Sequence, residues 1–133
     1  MLSKQVKLLI VDDEPTLRES LSHLFIACGY GVCSAHDGFS ALQTMKRELP
    51  DIVLSDLNMP GMSGFDFLPI VRRRFPGIHL IAMSAAFTGN EVPPGVVADA
   101  FYPKATGLRD LLCIMKTAAD SRFDDSLLVA SGR

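Results

Sequence analysis

A parallel β-sheet with helices packed on both faces is the fold this sequence predicts, and three observations predict it. Short apolar runs alternate with helix-period segments along most of the 133 residues, the order that builds strand-helix units around a parallel sheet. The runs at residues 6–11, 52–55 and 78–83 are nearly continuous in apolar character, as strands covered on both faces are. Each run leads into an oxygen-bearing side chain: Asp12 and Asp13, Asp56, and Ser84. A weaker run at residues 98–102 is followed by Pro103 and Lys104.

The elements follow in order. After the first strand, Pro15 suits the first position of a helix whose apolar face is Leu17, Leu21, Leu24, Phe25 and Cys28, with Gly29 as its C-terminal stop. Gly31 to Ala35 reads as a second strand. Asp37 is placed to cap a helix that buries Ala41, Leu42 and Met45 and ends before Pro50. Beyond the third strand, Ser63 caps a helix with Phe65, Leu68 and Val71 inward, in which Pro69 predicts a kink or a late start. Residues 87–97 stand where a fourth helix belongs, but Gly89, Pro93, Pro94 and Gly95 break the pattern. Adjacent prolines remove backbone donors and restrict the residues before them, so a loop with at most a short turn near residues 95–98 is expected. Thr106 caps the last helix, whose face is Leu108, Leu111, Leu112 and Met115. The domain spans residues 1–120, and residues 121–133 form a tail that continues the helix, docks on the surface or begins a linker.

Composition narrows the function. One core suits this length. A formal charge of -2 does not suit a nucleic-acid surface, and the basic pairs Lys46-Arg47 and Arg72-Arg73-Arg74 fall at helix C-termini, where positive charge is favourable. No stretch is long and apolar enough to span a membrane, and residues 1–5 lead into the first strand without a signal segment, so a cytoplasmic protein is expected. Cys28, Cys33 and Cys113 are odd in number and lack ligand spacing, which predicts reduced, mostly buried thiols. His23, His36 and His79 have no partner at metal-binding spacing.

Right-handed crossovers leave few strand orders. Of these, 2-1-3-4-5 sets the first and third strands side by side, and a doubly wound sheet binds its ligands beyond the carboxyl ends of its strands. Asp12, Asp13 and Asp56 then meet, and three close carboxylates repel unless a cation joins them. An all-oxygen set with room for water suits Mg²⁺, with Mn²⁺ as the alternative. A strand-terminal Asp56 can attack a phosphoryl group, while Lys104 and Ser84 offer an ammonium and a hydroxyl to its oxygens.

Four segments make this specific: Leu9-Ile10-Val11-Asp12-Asp13-Glu14-Pro15, Asp56-Leu57-Asn58-Met59-Pro60-Gly61-Met62-Ser63-Gly64, Met83-Ser84-Ala85 and Phe101-Tyr102-Pro103-Lys104. In this order, across residues 6–119, they resemble the receiver domain of bacterial two-component response regulators, of the chemotaxis-regulator type. The resemblance implies a flavodoxin-like, doubly wound (βα)5 three-layer sandwich of order 2-1-3-4-5, here with a short or irregular fourth helix. It implies that Asp56 accepts a phosphoryl group from a histidine kinase or a histidine phosphotransfer protein. Asp13, Asp56 and the Asn58 backbone carbonyl would coordinate Mg²⁺, with Asp12 nearby through water, and Ser84 and Lys104 would hold the phosphoryl oxygens. Ser84 and Phe101 would form the switch: the hydroxyl is drawn inward and leaves space for the ring to follow. Such a domain is no enzyme beyond its own phosphorylation and dephosphorylation. It signals to a protein target or a fused output domain, with phosphorylation-dependent dimerisation as one route and no direct contact with nucleic acid or membrane.

Two departures stand out. Ala105 follows Lys104 where the family usually has Pro, and the fourth helical segment is degenerate at the face that usually signals. Two other readings compete. One is a receiver fold working by constitutive contacts with vestigial phosphorylation. The other is a phosphatase of the haloacid dehalogenase type, suggested by Asp12-x-Glu14-x-Thr16 but lacking the second Asp, the cap and the later acidic motif.

Overall fold

The computed structural model describes residues 5–89 and 91–130, with side chains up to residue 121. Nine elements follow one another: β1 (Lys7–Val11), α1 (Pro15–Ala27), β2 (Gly31–Ala35), α2 (Gly38–Arg47), β3 (Ile52–Asp56), α3 (Gly64–Arg74), β4 (His79–Ser84), β5 (Ala100–Pro103) and α4 (Leu108–Ala130). The five strands form one sheet, all pairs parallel, in the order β2-β1-β3-β4-β5. The expected sheet is the observed one.

Alternation along each strand divides the core in two, because successive side chains point to opposite faces. On one face Leu9, Val11, Val53, Leu80, Ala82 and Phe101 pack with Ala41 and Met45 of α2 and Phe67, Leu68 and Val71 of α3. On the other, Leu8, Ile10, Ile52, Leu54, Ile81 and Met83 pack with Leu21 and Phe25 of α1 and Leu111, Met115 and Ala118 of α4. The helix ends follow local chemistry. Gly29, at φ 100°, closes α1 with its amide on the Ile26 carbonyl and the Tyr30 amide on that of Phe25, a Schellman stop. The Asp37 carboxylate accepts the Ser40 amide at 2.7 Å and caps α2.

Several local expectations need correction. Phe65 is 38% exposed and Phe67 fills the core in its place, while Leu68 and Val71 are buried as expected. α3 starts at Gly64 and runs through Pro69, so Pro69 imposes no late start, and Ser63 gives its hydroxyl to the Asp66 carboxylate rather than to the backbone. Leu108 and Leu112 are exposed; α4 buries the i, i+4, i+7 set Leu111, Met115 and Ala118, which the small Ala118 completes. Thr106 does not cap α4, because its hydroxyl donates to the Pro103 carbonyl at 2.7 Å and closes the turn after β5. Cys28 lies beyond the last turn of α1, Cys33 is on the edge strand, and Cys113 is on the outer side of α4. All three are free and exposed, not buried.

Among the described residues no helix joins β4 to β5. A turn at Pro94 and Gly95, with the Val96 amide on the Pro93 carbonyl, is the only regular feature there. Phe87, Val92, Val96 and Val97 still pack against the α2–α3 side of the core, so the connection covers the sheet as loop. α4 continues through residue 121 to Ala130.

Candidate functional site

Three strand ends carry the site, and each is pinned by one hydrogen bond beyond the regular ladder. The Asp12 amide donates to the Ala35 carbonyl of β2 at 3.1 Å. Leu57, directly after Asp56, donates to the Met83 carbonyl at 2.9 Å. The Lys104 amide donates to the Ser84 carbonyl at 2.9 Å. Parallel pairing thus brings residues far apart in sequence to one edge.

Lys104 Nζ lies 2.9 Å from Asp56 Oδ2 and 3.1 Å from Asp12 Oδ2, so one ammonium ties β5 to both β3 and β1. Ala105 in place of the family's Pro does not remove Lys104 from the site. Asp12 is fully buried and Asp56 5% exposed, whereas Asp13 faces solvent. The other Asp12 oxygen, Oδ1, accepts the Glu14 amide at 2.9 Å, and Asp56 Oδ1 accepts the Asn58 amide at 3.1 Å. Ser84, fully buried, donates its hydroxyl to Asn58 Oδ1 at 2.9 Å and accepts the Ala86 amide at 2.9 Å.

Burial holds the Asp56 carboxyl above the ordinary carboxylate range, against the opposing pull of the Lys104 hydrogen bond and charge. Burial pulls the Lys104 ammonium down, but the hydrogen bond and charge of Asp56, with Asp12 added, leave it above the usual lysine value.

Ligand oxygens from Asp12, Asp13 and Asp56 all lie within 4.8 Å of one another. An all-oxygen, anionic donor set of this spacing, open to water on the Asp13 side, fits a hard divalent cation that keeps part of its hydration shell. Asp12, Asp13, Asp56, Asn58, Ser84 and Lys104 are thus brought together. Phe101 stands apart from the carboxylates: it is 1% exposed, in the core, with its ring edge-on to Phe87 at 6.3 Å. Phe87 in turn meets Phe65 at 6.4 Å. Sequence reasoning gave Asn58 only a backbone role and missed its side chain on Ser84; its place two residues after Asp56 was the available signal.

The model of the response regulator receiver domain family matches residues 8–112. Response regulator MprA of Mycobacterium tuberculosis is 32% identical over 113 residues, 84% of this chain and 49% of that protein. The chain spans half or less of the length of the curated relatives it matches first. Chemotaxis response regulator CheY4 of Vibrio cholerae superposes with a TM-score of 0.75 at 28% identity, over 86% of this chain and 99% of that one. Response regulator TrrA of Thermotoga maritima, solved with Mg²⁺ and BeF, gives 0.78 at 27% identity, over 86% and 99%. TrrA in complex with the histidine kinase ThkA gives 0.77 at 27% identity, over 86% and 98%. The family match runs from within β1 into the start of α4 and takes in every residue gathered at the strand ends, so this chain belongs to the response regulator receiver domain family.

Proposed function

We propose that this receiver domain takes a phosphoryl group onto Asp56 from the phosphohistidine of a histidine kinase or a histidine phosphotransfer protein. The observation that carries the reading is the single ammonium of Lys104 bridging Asp12 and Asp56 across the sheet edge. In the transfer an Asp56 oxygen bonds to phosphorus as the phosphorus–nitrogen bond to the donor imidazole breaks. Lys104 then stays on a phosphoryl oxygen as a point charge. Mg²⁺ would be held by Asp13, Asp56 and the Asn58 carbonyl, with Asp12 beside it, and supplies charge neutralisation when bound. The relative TrrA, solved with Mg²⁺ and BeF and with the kinase ThkA, supports this metal and this class of partner.

The receiver unit is residues 1–120. Residues 121–133, which α4 enters as far as Ala130, form a C-terminal tail or the start of a linker, and the domain signals to a protein target or a fused output domain. Among the described residues no helix is long and apolar enough to cross a membrane, in keeping with a cytoplasmic location.

Mass measurement after incubation with acetyl phosphate and Mg²⁺ tests the reading. Wild type and Asp12→Asn should be modified to some extent, and Asp56→Asn not at all; equal labelling of Asp56→Asn refutes the acceptor. The hydrolase alternative fits poorly, because that chemistry wants a second Asp two residues after its nucleophile and Glu14 stands there. The loop in place of a fourth helix favours one second reading, constitutive contacts without phosphorylation. Absence of Mg²⁺-dependent modification by every small phosphodonor would establish it.

A further inference from the structure

The Ser84 hydroxyl is fully committed before any phosphoryl group arrives. Its oxygen accepts the Ala86 amide, and its proton goes to Asn58 Oδ1, each at 2.9 Å. A hydroxyl carries one proton. While Asn58 holds that proton, Ser84 has none to donate to a phosphoryl oxygen on Asp56. Asn58 is itself tied to the acceptor, since its backbone N–H donates to Asp56 Oδ1 at 3.1 Å.

From this geometry we infer that the Asn58 side chain is a positioning residue that latches the Ser84 hydroxyl onto itself, and that the phosphorylated state forms by exchanging this hydrogen bond for one to the phosphoryl oxygen. The inference rests on the phosphoacceptor reading of Asp56. The exchange balances: one bond to a neutral amide oxygen is lost and one to an anionic oxygen is gained, while the exposed Asn58 turns to water. Bonds to charged acceptors are the stronger, so the exchange is favourable, but less so than if the hydroxyl began free. The latch also sets the start of the β4–β5 connection, because the same Ser84 oxygen holds Ala86, next to the Phe87 ring that packs on Phe101.

The test uses the phosphoryl mimic beryllofluoride with saturating Mg²⁺, followed through the Ala86 amide resonance by ¹H–¹⁵N NMR. Removing a neutral hydrogen bond of ordinary net strength corresponds to about fivefold in an equilibrium constant. Asn58→Ala is therefore expected to bind beryllofluoride about fivefold more tightly than wild type. In a Ser84→Ala background the same substitution should change nothing, a coupling that a merely structural role does not produce. Without beryllofluoride, the Ala86 resonance of Asn58→Ala should already move toward its bound position. Unchanged or weaker binding by Asn58→Ala, or an equal gain in both backgrounds, overturns the latch alone. If wild type takes up no beryllofluoride, the phosphoacceptor reading falls and the latch with it.

Discussion

Gly64 is where the fold and the site constrain each other most tightly. It opens α3, and its amide donates to the Leu57 carbonyl at 3.0 Å. A Cβ added there would lie 2.3 Å from the Asp56 carbonyl oxygen and 2.7 Å from Leu57 Cα. Both atoms belong to the backbone that carries the acceptor, so neither can rotate away. Overpacking costs about 1–3 kcal/mol, and rigid neighbours place Gly64→Ala at the upper end. Alanine regains up to about 1 kcal/mol of helix propensity, leaving a net loss of about 2 kcal/mol. For a domain of this length that lowers Tm by about 6–8 °C. Gly38→Ala is the comparison: its Cβ would meet Met62 Sδ at 2.6 Å, Cγ at 2.9 Å and Cβ at 3.1 Å, all side-chain atoms on a loop, which can shift where the backbone at Gly64 cannot. Thermal unfolding by circular dichroism should show Gly64→Ala falling well below Gly38→Ala, with Asp56 labelling reduced in the former. A Tm of Gly64→Ala within about a degree of wild type, or an equal fall in Gly38→Ala, refutes the close-approach argument.

Replacing Lys104 by Met leaves the buried Asp12 and Asp56 carboxylates without their ammonium. Urea denaturation without metal should show a loss of about 3 kcal/mol, partly restored by Mg²⁺; equal stability with and without Mg²⁺ argues against the shared charge site. Asp37→Ala removes the cap of α2 and should cost about 1 kcal/mol at neutral pH. Its carboxyl is held below the ordinary value chiefly by the Ser40 amide, so this contribution is full above the unfolded carboxylate pKa. It disappears as pH falls toward the lower folded value, where wild type and variant should converge in denaturant titrations. Ellman's reagent should titrate Cys28, Cys33 and Cys113 in the native protein, since all three are exposed; thiols that react only after denaturation contradict the placement of these residues.

Much of this was legible in the chain because parallel strands announce themselves. Continuous apolar runs with Asp12, Asp56 and Ser84 at their ends leave few arrangements once crossover handedness is imposed, and the resemblance to the receiver family singled out the order that joins the carboxylates. What was not legible depends on rotation and on single hydrogen bonds. Phe65 and Phe67 stand two apart on one helix, and hydrophobicity alone cannot choose which faces the core. Leu108 and Leu112 looked like the buried face of α4, yet a small residue, Ala118, completes the true stripe. The Thr106 hydroxyl goes to the Pro103 carbonyl, so the turn after β5 claims it before α4 does. The cysteines were misplaced because a residue type that is usually buried says nothing about a particular edge strand or helix end.

The irregular connection between β4 and β5 bears on signalling more than on chemistry, and the reason lies in what holds each strand end. Asp12 is anchored to β2, Leu57 to β4, and Lys104 to Ser84 of β4; none of these bonds uses the segment between residues 87 and 98. The carboxylate cluster can therefore form whether or not a helix follows β4. That segment instead meets the domain through the apolar packing of Phe87, Val92, Val96 and Val97, with the Phe87 ring edge-on to both Phe65 and Phe101. Phe101 is already buried, so any movement of its ring starts from the core and not from solvent. The start of the connection is tied to the strand end at the Ser84 oxygen, which accepts the Ala86 amide. A loop without regular backbone hydrogen bonds yields to a pull on that amide at lower energy than a packed helix does, so the irregular connection bears on how a signal would leave the site and not on whether the carboxylates meet.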